Sequence, residues 1–170
     1  PVEPELTGTE KTAKEAKERG NKLYKEKDFE GALAAYDEAV SADPTNCMLH
    51  NNKAAVYIEM KAFDDAFAAV DKAMEIAKVN KAPFEDRAKI FCRQAGVHLK
   101  MDNIPAALEC FGKAQMENFD KAVDRKVKNL ELEERKRKLR EYVNPEKALE
   151  AKERGNTCFR EGKWPDAIME

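Results

Sequence analysis

The sequence predicts an all-α fold in which antiparallel helix pairs stack in tandem and a charged capping helix closes the stack. Three observations predict it. A run of small and aromatic residues recurs at a fixed offset. Apolar residues fall at helical spacing. Lys, Glu and Ala dominate, while Gly and Pro number only seven each. Self-similarity at a fixed period marks an array whose units bury their apolar faces against one another.

The first unit is expected to begin near Glu10, after a flexible lead-in at residues 1–9. Ala13, Ala16, Gly20, Leu23 and Tyr24 form one apolar stripe. Lys27-Asp28 makes a turn, and Phe29, Ala32, Leu33, Tyr36, Ala39 and Val40 form a second stripe. Asp43-Pro44 ends that helix, because a residue before proline is pushed out of the α region. Adding 34 maps Gly20 onto Ala54, Phe29 onto Phe63, Ala32 onto Ala66 and Ala39 onto Ala73. Adding a further 41 reaches Ala95, Ala107 and Ala114. Small residues belong at helix crossings, where axes approach within roughly 8–10 Å. The seven extra residues fall around Ala77–Pro83 and are expected to lengthen one helix and its loop. Phe91, Leu99, Ile104, Leu108 and Phe111 complete the third pair.

Residues 120–142 read as a single charged helix with Val123, Val127, Leu130 and Leu139 on a narrow stripe. A helix with a polar outer face can close the open end of a stack. Asn144-Pro145 then reads as an N-cap followed by proline at the first helical position. A fourth copy starts there. Lys152-Glu153-Arg154-Gly155-Asn156 restates Lys17-Glu18-Arg19-Gly20-Asn21 at an offset of 135, and Phe159, Trp164 and Ala167 continue it. The expected organisation is a lead-in at 1–9, a three-repeat module with its cap at 10–143, and a truncated first repeat of a second module at 144–170. The chain has no starting Met and stops inside this repeat, so it is expected to be a fragment, and a monomer as such.

Charged residues make up 38% of the chain, hydrophobic residues 42%, and mean hydropathy is −0.75. With 31 basic and 33 acidic residues the net charge is −2, which gives no bulk attraction to nucleic acid or to an anionic membrane. No apolar run approaches the roughly 18 residues of a membrane span. Cys47, Cys92, Cys110 and Cys158 show no paired metal or redox spacing and are expected to be free thiols of a cytoplasmic protein.

The spacing of Gly20, Leu23, Ala32, Tyr36, Ala39 and Pro44 resembles the tetratricopeptide repeat (TPR). The resemblance covers about residues 10–170 and implies a TPR superhelix. It also implies that the first helix of each pair lines a concave groove. Lys17 and Asn21 are four apart on the first such helix, Asn52 lies on the second, and Lys89 and Arg93 are four apart on the third. Two cations at this spacing weaken a helix by a few tenths of a kcal/mol unless an anion lies between them. Lys and Arg supply charge and Asn supplies amide donors, which suits carboxylates.

These five residues match the carboxylate clamp of TPR co-chaperones. By that resemblance Lys17, Asn21, Asn52, Lys89 and Arg93 would hold the terminal carboxylate and the last Asp side chain of a Glu-Glu-Val-Asp tail. Such a tail ends heat-shock protein 90 and heat-shock protein 70, and the Met-Glu-Glu-Val-Asp tail of heat-shock protein 90 is the expected partner. The family's further contacts map to Tyr24, Ala55 and Glu59, while Gly96 stands where the family often has an Asn that helps bind the peptide. Lys152 and Asn156 would begin a second, incomplete clamp.

Other features receive plain roles. His50 and His98 lack a second ligand at metal spacing, so no metal or other cofactor is expected. No nucleophile comes with a base at motif spacing, and no Gly-rich phosphate loop is present, so the fragment is expected not to be an enzyme. Glu133-Glu134-Arg135-Lys136-Arg137-Lys138 reads as a solvated helix face. Met48, Met60, Met74, Met101 and Met116 read as packing residues. Phe91 reads as core, and Tyr24 as core or groove. Preference for the heat-shock protein 70 tail, a regulatory role within a larger phosphatase or prolyl isomerase, and an oligomeric scaffold remain alternatives.

Overall fold

The computed structural model describes residues 8–143 and 145–163. Among these residues eight α-helices and no strand are found. They are α1 (Gly8–Lys25), α2 (Phe29–Ala42), α3 (Cys47–Glu59), α4 (Phe63–Val79), α5 (Phe84–Lys100), α6 (Ile104–Glu117), α7 (Lys121–Tyr142) and α8 (Pro145–Arg160). Helix α1 starts two residues earlier than the predicted Glu10, so Gly8 and Thr9 are helical. The expected N-cap Asn144, and Trp164 and Ala167 of the fourth repeat, lie outside the described residues.

Sequence chemistry places the helix ends. Asp28 caps α2 by accepting from Gly31 N at 3.0 Å, and Asn46 caps α3 by accepting from Met48 N at 3.1 Å. Asn103 caps α6 from Ala106 N at 3.2 Å, with Pro105 in the first turn. The turn inside each pair repeats one conformation. Lys27, Lys61 and Asp102 take positive φ angles of 64°, 60° and 56°. The next amide bonds back across the turn, from Asp28 N to Leu23 O (3.0 Å), Ala62 N to Tyr57 O (2.9 Å) and Asn103 N to His98 O (2.9 Å). This is a left-handed helix C-terminus, which satisfies a carbonyl the helix itself leaves open. After α8, Gly162 (φ 75°) and the 2.9 Å bond from Lys163 N to Cys158 O restate it, 135 residues beyond Lys27 and Asp28.

The seven additional residues do not lengthen a loop. Helix α4 has 17 residues against 14 in α2, and α5 has 17 against 13 in α3. Three residues extend the end of α4 and four extend the start of α5. The linker Asn80–Pro83 keeps the four-residue length of Asp43–Asn46. Extending two packed helices adds hydrogen bonds and contacts, whereas a longer loop would add only chain entropy to be lost.

The chain divides into two compact units, Pro1–Val127 and Lys128–Glu170. In the first unit α1 packs on α2, α3 on α4 and α5 on α6. Successive pairs meet through α2–α3 and α4–α5, and α3 lies beside α5. The repeated alanines fill the crossings: Ala32, Ala39, Ala54, Ala66, Ala73, Ala95 and Ala107 are fully buried. At the α1–α2 crossing even a methyl group is too large. A Cβ on Gly20 would sit 2.7 Å from Tyr36 Cε1. At the same position in the second pair Ala54 shares a cluster with Val70, the shorter counterpart of Tyr36. The start of α7 closes the unit, with Lys126 Nζ 5.1 Å from the centre of the Phe111 ring.

Some expectations are corrected here. Met60, Met101 and Met116 are 42%, 49% and 88% exposed, so only Met48 and Met74 act as packing residues. The first two sit at the ends of α3 and α5, where the turn lifts the side chain off the core. In the second unit Leu139 is exposed, whereas Glu134, read as solvated, is buried. Its carboxylate meets Arg137 at 2.9 Å and Lys138 at 3.7 Å, one helical turn on. That spacing lets its charge be neutralised where it lies.

Candidate functional site

A cavity of about 570 Å³ opens between α3, α5, the end of α6 and the start of α7. Asn52, Lys89, Arg93, Glu59 and Gly96 line it together with Asn51 and Lys126. Lys17, Asn21, Tyr24 and Ala55 do not form its wall. Lys17, Asn21 and Tyr24 are half-buried on α1, and Ala55 is buried on α3. Repeat arithmetic relates the positions. Lys17, Asn51 and Cys92 are equivalent across the three pairs, as are Asn21, Ala55 and Gly96.

Arg93 joins the two sets. Burial pushes its guanidinium below the usual arginine range, and the nearby phenols of Tyr24 and Tyr36 and the Cys92 thiol oppose that shift. Its Nε is buried without a hydrogen-bond partner, and no acidic side chain pairs with it among the described residues. A desolvated cation without a counter-charge is costly. Tyr36 in turn donates its hydroxyl to Asn21 Oδ1 at 2.7 Å. The bond occupies the amide oxygen of Asn21, so the Nδ2 donors are the part left to present. Burial, and then the neighbouring Tyr24, raise the Tyr36 hydroxyl above the ordinary tyrosine range, so it stays protonated and able to donate.

Lys89 is more exposed and is not idle. Its Nζ lies 2.8 Å from Glu85 Oε1 and 3.3 Å from Asp86 Oδ1. Glu85 and Asp86 both lie in the extra first turn of α5, so the insertion supplies the carboxylates that occupy this cation. The hydrogen bond from Lys89 lowers the Glu85 carboxyl below the usual range, and the same bond raises Lys89. Lys17 forms no ion pair among the described residues. Glu59 lies at the end of α3, 3.9 Å from Lys100 Nζ. A Cβ added at Gly96 would meet nothing within 4 Å, so the cavity has room for a side chain there.

The α6–α7 corner forms the end wall through a reciprocal pair that the sequence reading missed. Gln115 Nε2 donates to Asp120 O at 2.8 Å, and Asp120 N donates to Gln115 Oε1 at 2.7 Å. Asp120 Oδ1 then accepts from Ala122 N at 2.6 Å at the start of α7. Tyr36, Asn51, Glu85 and Asp86 were also missed as site residues. Counting 34 onward from Lys17 would have found Asn51. Tyr24 has its ring centre 6.2 Å from that of Phe29 and flanks the Ala32–Tyr36–Val56 cluster, so the structure gives it a core contact. Phe91 lines a separate depression with Met74, Phe84 and Arg87. His98 lies against Phe67 at 4.9 Å between ring centres.

A TPR repeat profile matches residues 20–61. The solved N-terminal domain of stress-induced protein-1 (STI-1) from C. elegans is 35% identical, with a TM-score of 0.64, and the match covers 74% of this chain and 99% of that domain. The chain belongs to the TPR modules of the Hop/STI1 family. Within this family it also resembles the TPR2AB-domain:pHSP90 complex of yeast Sti1. There the identity is 29% and the TM-score 0.75, over 94% of this chain and 61% of that one. The Hsp70-Hsp90 organising protein of Plasmodium falciparum is 37% identical over 156 residues, 92% of this chain and 28% of that protein. The chain spans about half or less of the curated relatives it matches. Among the described residues of this Hop/STI1-type chain, no helix is long and apolar enough to cross a membrane.

Proposed function

We propose that this chain is an adaptor that captures the C-terminal Glu-Glu-Val-Asp tail of heat-shock protein 90 through a carboxylate clamp. Lys17, Asn21, Asn52, Lys89 and Arg93 hold the two carboxylates of the terminal Asp. Tyr24, Ala55 and Glu59 add contacts further along the peptide. The supporting observation is the desolvated Arg93 guanidinium, whose Nε has no partner. A carboxylate supplies both the missing acceptor and the missing charge. Each charge-assisted bond contributes roughly 1.5–3 kcal/mol. Ordering a flexible tail offsets much of that, so micromolar affinity, about −8 kcal/mol, is expected. Such affinity suits an adaptor that must release its partner, and the reading requires the cytosol as compartment.

The yeast relative named as an Hsp90-peptide complex supports this partner. The tail of heat-shock protein 70 shares the last four residues, and a relative named for both chaperones supports that second reading. On the same reading residues 10–143 form one module, and 144–170 begin a second with Lys152 and Asn156 as the start of its clamp. The turn at Gly162, repeated at an offset of 135 from Lys27, supports this division.

Titration calorimetry with a Met-Glu-Glu-Val-Asp peptide is the test. Lys89→Ala and Arg93→Ala should each abolish measurable binding while helicity by circular dichroism is unchanged. Amidating the peptide's C-terminus should weaken it similarly. Unchanged affinity in both variants would sink the clamp. Competition between the two tails decides the partner.

A further inference from the structure

A second orphaned polar atom lines the same cavity. Asn51 is 2% exposed, and its Oδ1 has no hydrogen-bond partner. Burying an amide oxygen unpaired costs about 1–3 kcal/mol, so such an atom ordinarily has a partner, whether protein, ligand or ordered water. Its place in the repeat puts it on the cavity wall. Asn51 holds in the second pair the position that Lys17 holds in the first and Cys92 in the third, and both Asn51 and Cys92 line the cavity. It also precedes Asn52, so two amides reach this wall from adjacent positions of α3.

We infer that Asn51 is a further binding residue, and that its Oδ1 accepts from a main-chain N–H of the bound tail. The inference rests on the tail reading proposed above. The side chains of a Met-Glu-Glu-Val-Asp tail, with its carboxylates ionised, contain no hydrogen-bond donor. Its donors are its main-chain amides and its amino end. The five clamp residues meet oxygen atoms of the ligand, so they place and orient its charge. Asn51 instead reads the peptide backbone beside that charge. Its contact is independent of side-chain identity, and it fixes the direction and extended conformation of the strand. This role separates a peptide from a small dicarboxylate, which offers the same oxygens and no amide.

The test uses the whole chain, calorimetry and the Met-Glu-Glu-Val-Asp peptide with an acetylated amino end. Asn51→Leu keeps the branched shape and removes the acceptor, and Asn51→Ala removes both. Each should weaken binding about fivefold, the size of one neutral hydrogen bond. The melting temperature of the Leu variant should be equal to or above that of the unmodified chain. Peptides N-methylated at one main-chain position at a time give the second reading. One position should weaken binding to the unmodified chain and cause no additional loss in Asn51→Leu. If both variants bind as the unmodified chain does, Asn51 holds a structural water only and the inference falls. It also falls if every N-methyl peptide loses equally against both proteins. Loss of binding in Arg93→Ala with retention in both Asn51 variants would leave the clamp standing and remove Asn51 alone. No binding by the unmodified chain would remove both readings.

Discussion

Gly20→Ala sets helix propensity against packing, and the structure says which wins. Within a helix, Gly→Ala ordinarily gains roughly 0.8–1 kcal/mol. At Gly20 the added Cβ would lie 2.7 Å from Tyr36 Cε1, 2.8 Å from Cδ1 and 3.1 Å from Cζ. The Tyr36 ring is 2% exposed and packed against Ala32 and Val56, so it cannot swing away cheaply. Overpacking of this kind costs about 1–3 kcal/mol. A displaced ring also loosens the 2.7 Å bond from its hydroxyl to Asn21 Oδ1, a further loss of about 0.5–1.5 kcal/mol. The balance is a destabilisation of about 1–2 kcal/mol, which lowers Tm by roughly 4–8 °C in a unit of this size. Calorimetric melting measures it. Gly112→Ala is the internal control, because its Cβ would meet nothing within 4 Å, and it should raise Tm. The peptide assay adds a second reading, since a loosened Asn21 should weaken tail binding as well. A Tm for Gly20→Ala equal to or above that of the unmodified chain would refute the tight crossing.

Two further predictions concern charge. Glu85→Gln and Asp86→Asn release Lys89 from its 2.8 Å and 3.3 Å partners, so each should tighten tail binding about two- to fivefold, with the largest effect at low salt. Unaltered affinity in the double variant would show that these pairs do not compete with the ligand. Burial, and then Lys53 and Lys72, hold the His50 imidazole below its ordinary value of 6.5, while Asp37 opposes them. The unfolded chain therefore binds a proton that the folded one resists. Stability is fully present above about pH 6.5 and is lost as pH falls through the lowered folded value. His50→Gln should reduce the fall in Tm between pH 7.5 and 5.5, and an identical fall in both proteins would remove His50 as a cause.

The local elements were legible because they rest on near neighbours in sequence. The turn read at Lys27-Asp28 lies between α1 and α2, where Asp28 also caps α2. The offsets of 34 and 41 located the alanine crossings because a repeat must place small residues wherever its helices meet. The same logic failed at Ala77–Pro83, where periodicity counts seven residues but cannot divide them between helix and loop. In the structure three of them extend α4 and four extend α5.

The sequence by itself determined the helix pairs and their order. Periodicity is a one-dimensional signal, and these properties are one-dimensional. Only the tertiary structure decided how each polar group is partnered. Asn21 has its oxygen occupied by Tyr36, Lys89 is held by Glu85 and Asp86, and Arg93 and Asn51 keep buried atoms without a partner. Burial and hydrogen bonding belong to a volume that several helices enclose. A residue's identity says what it can bond, and the enclosure decides what it does bond.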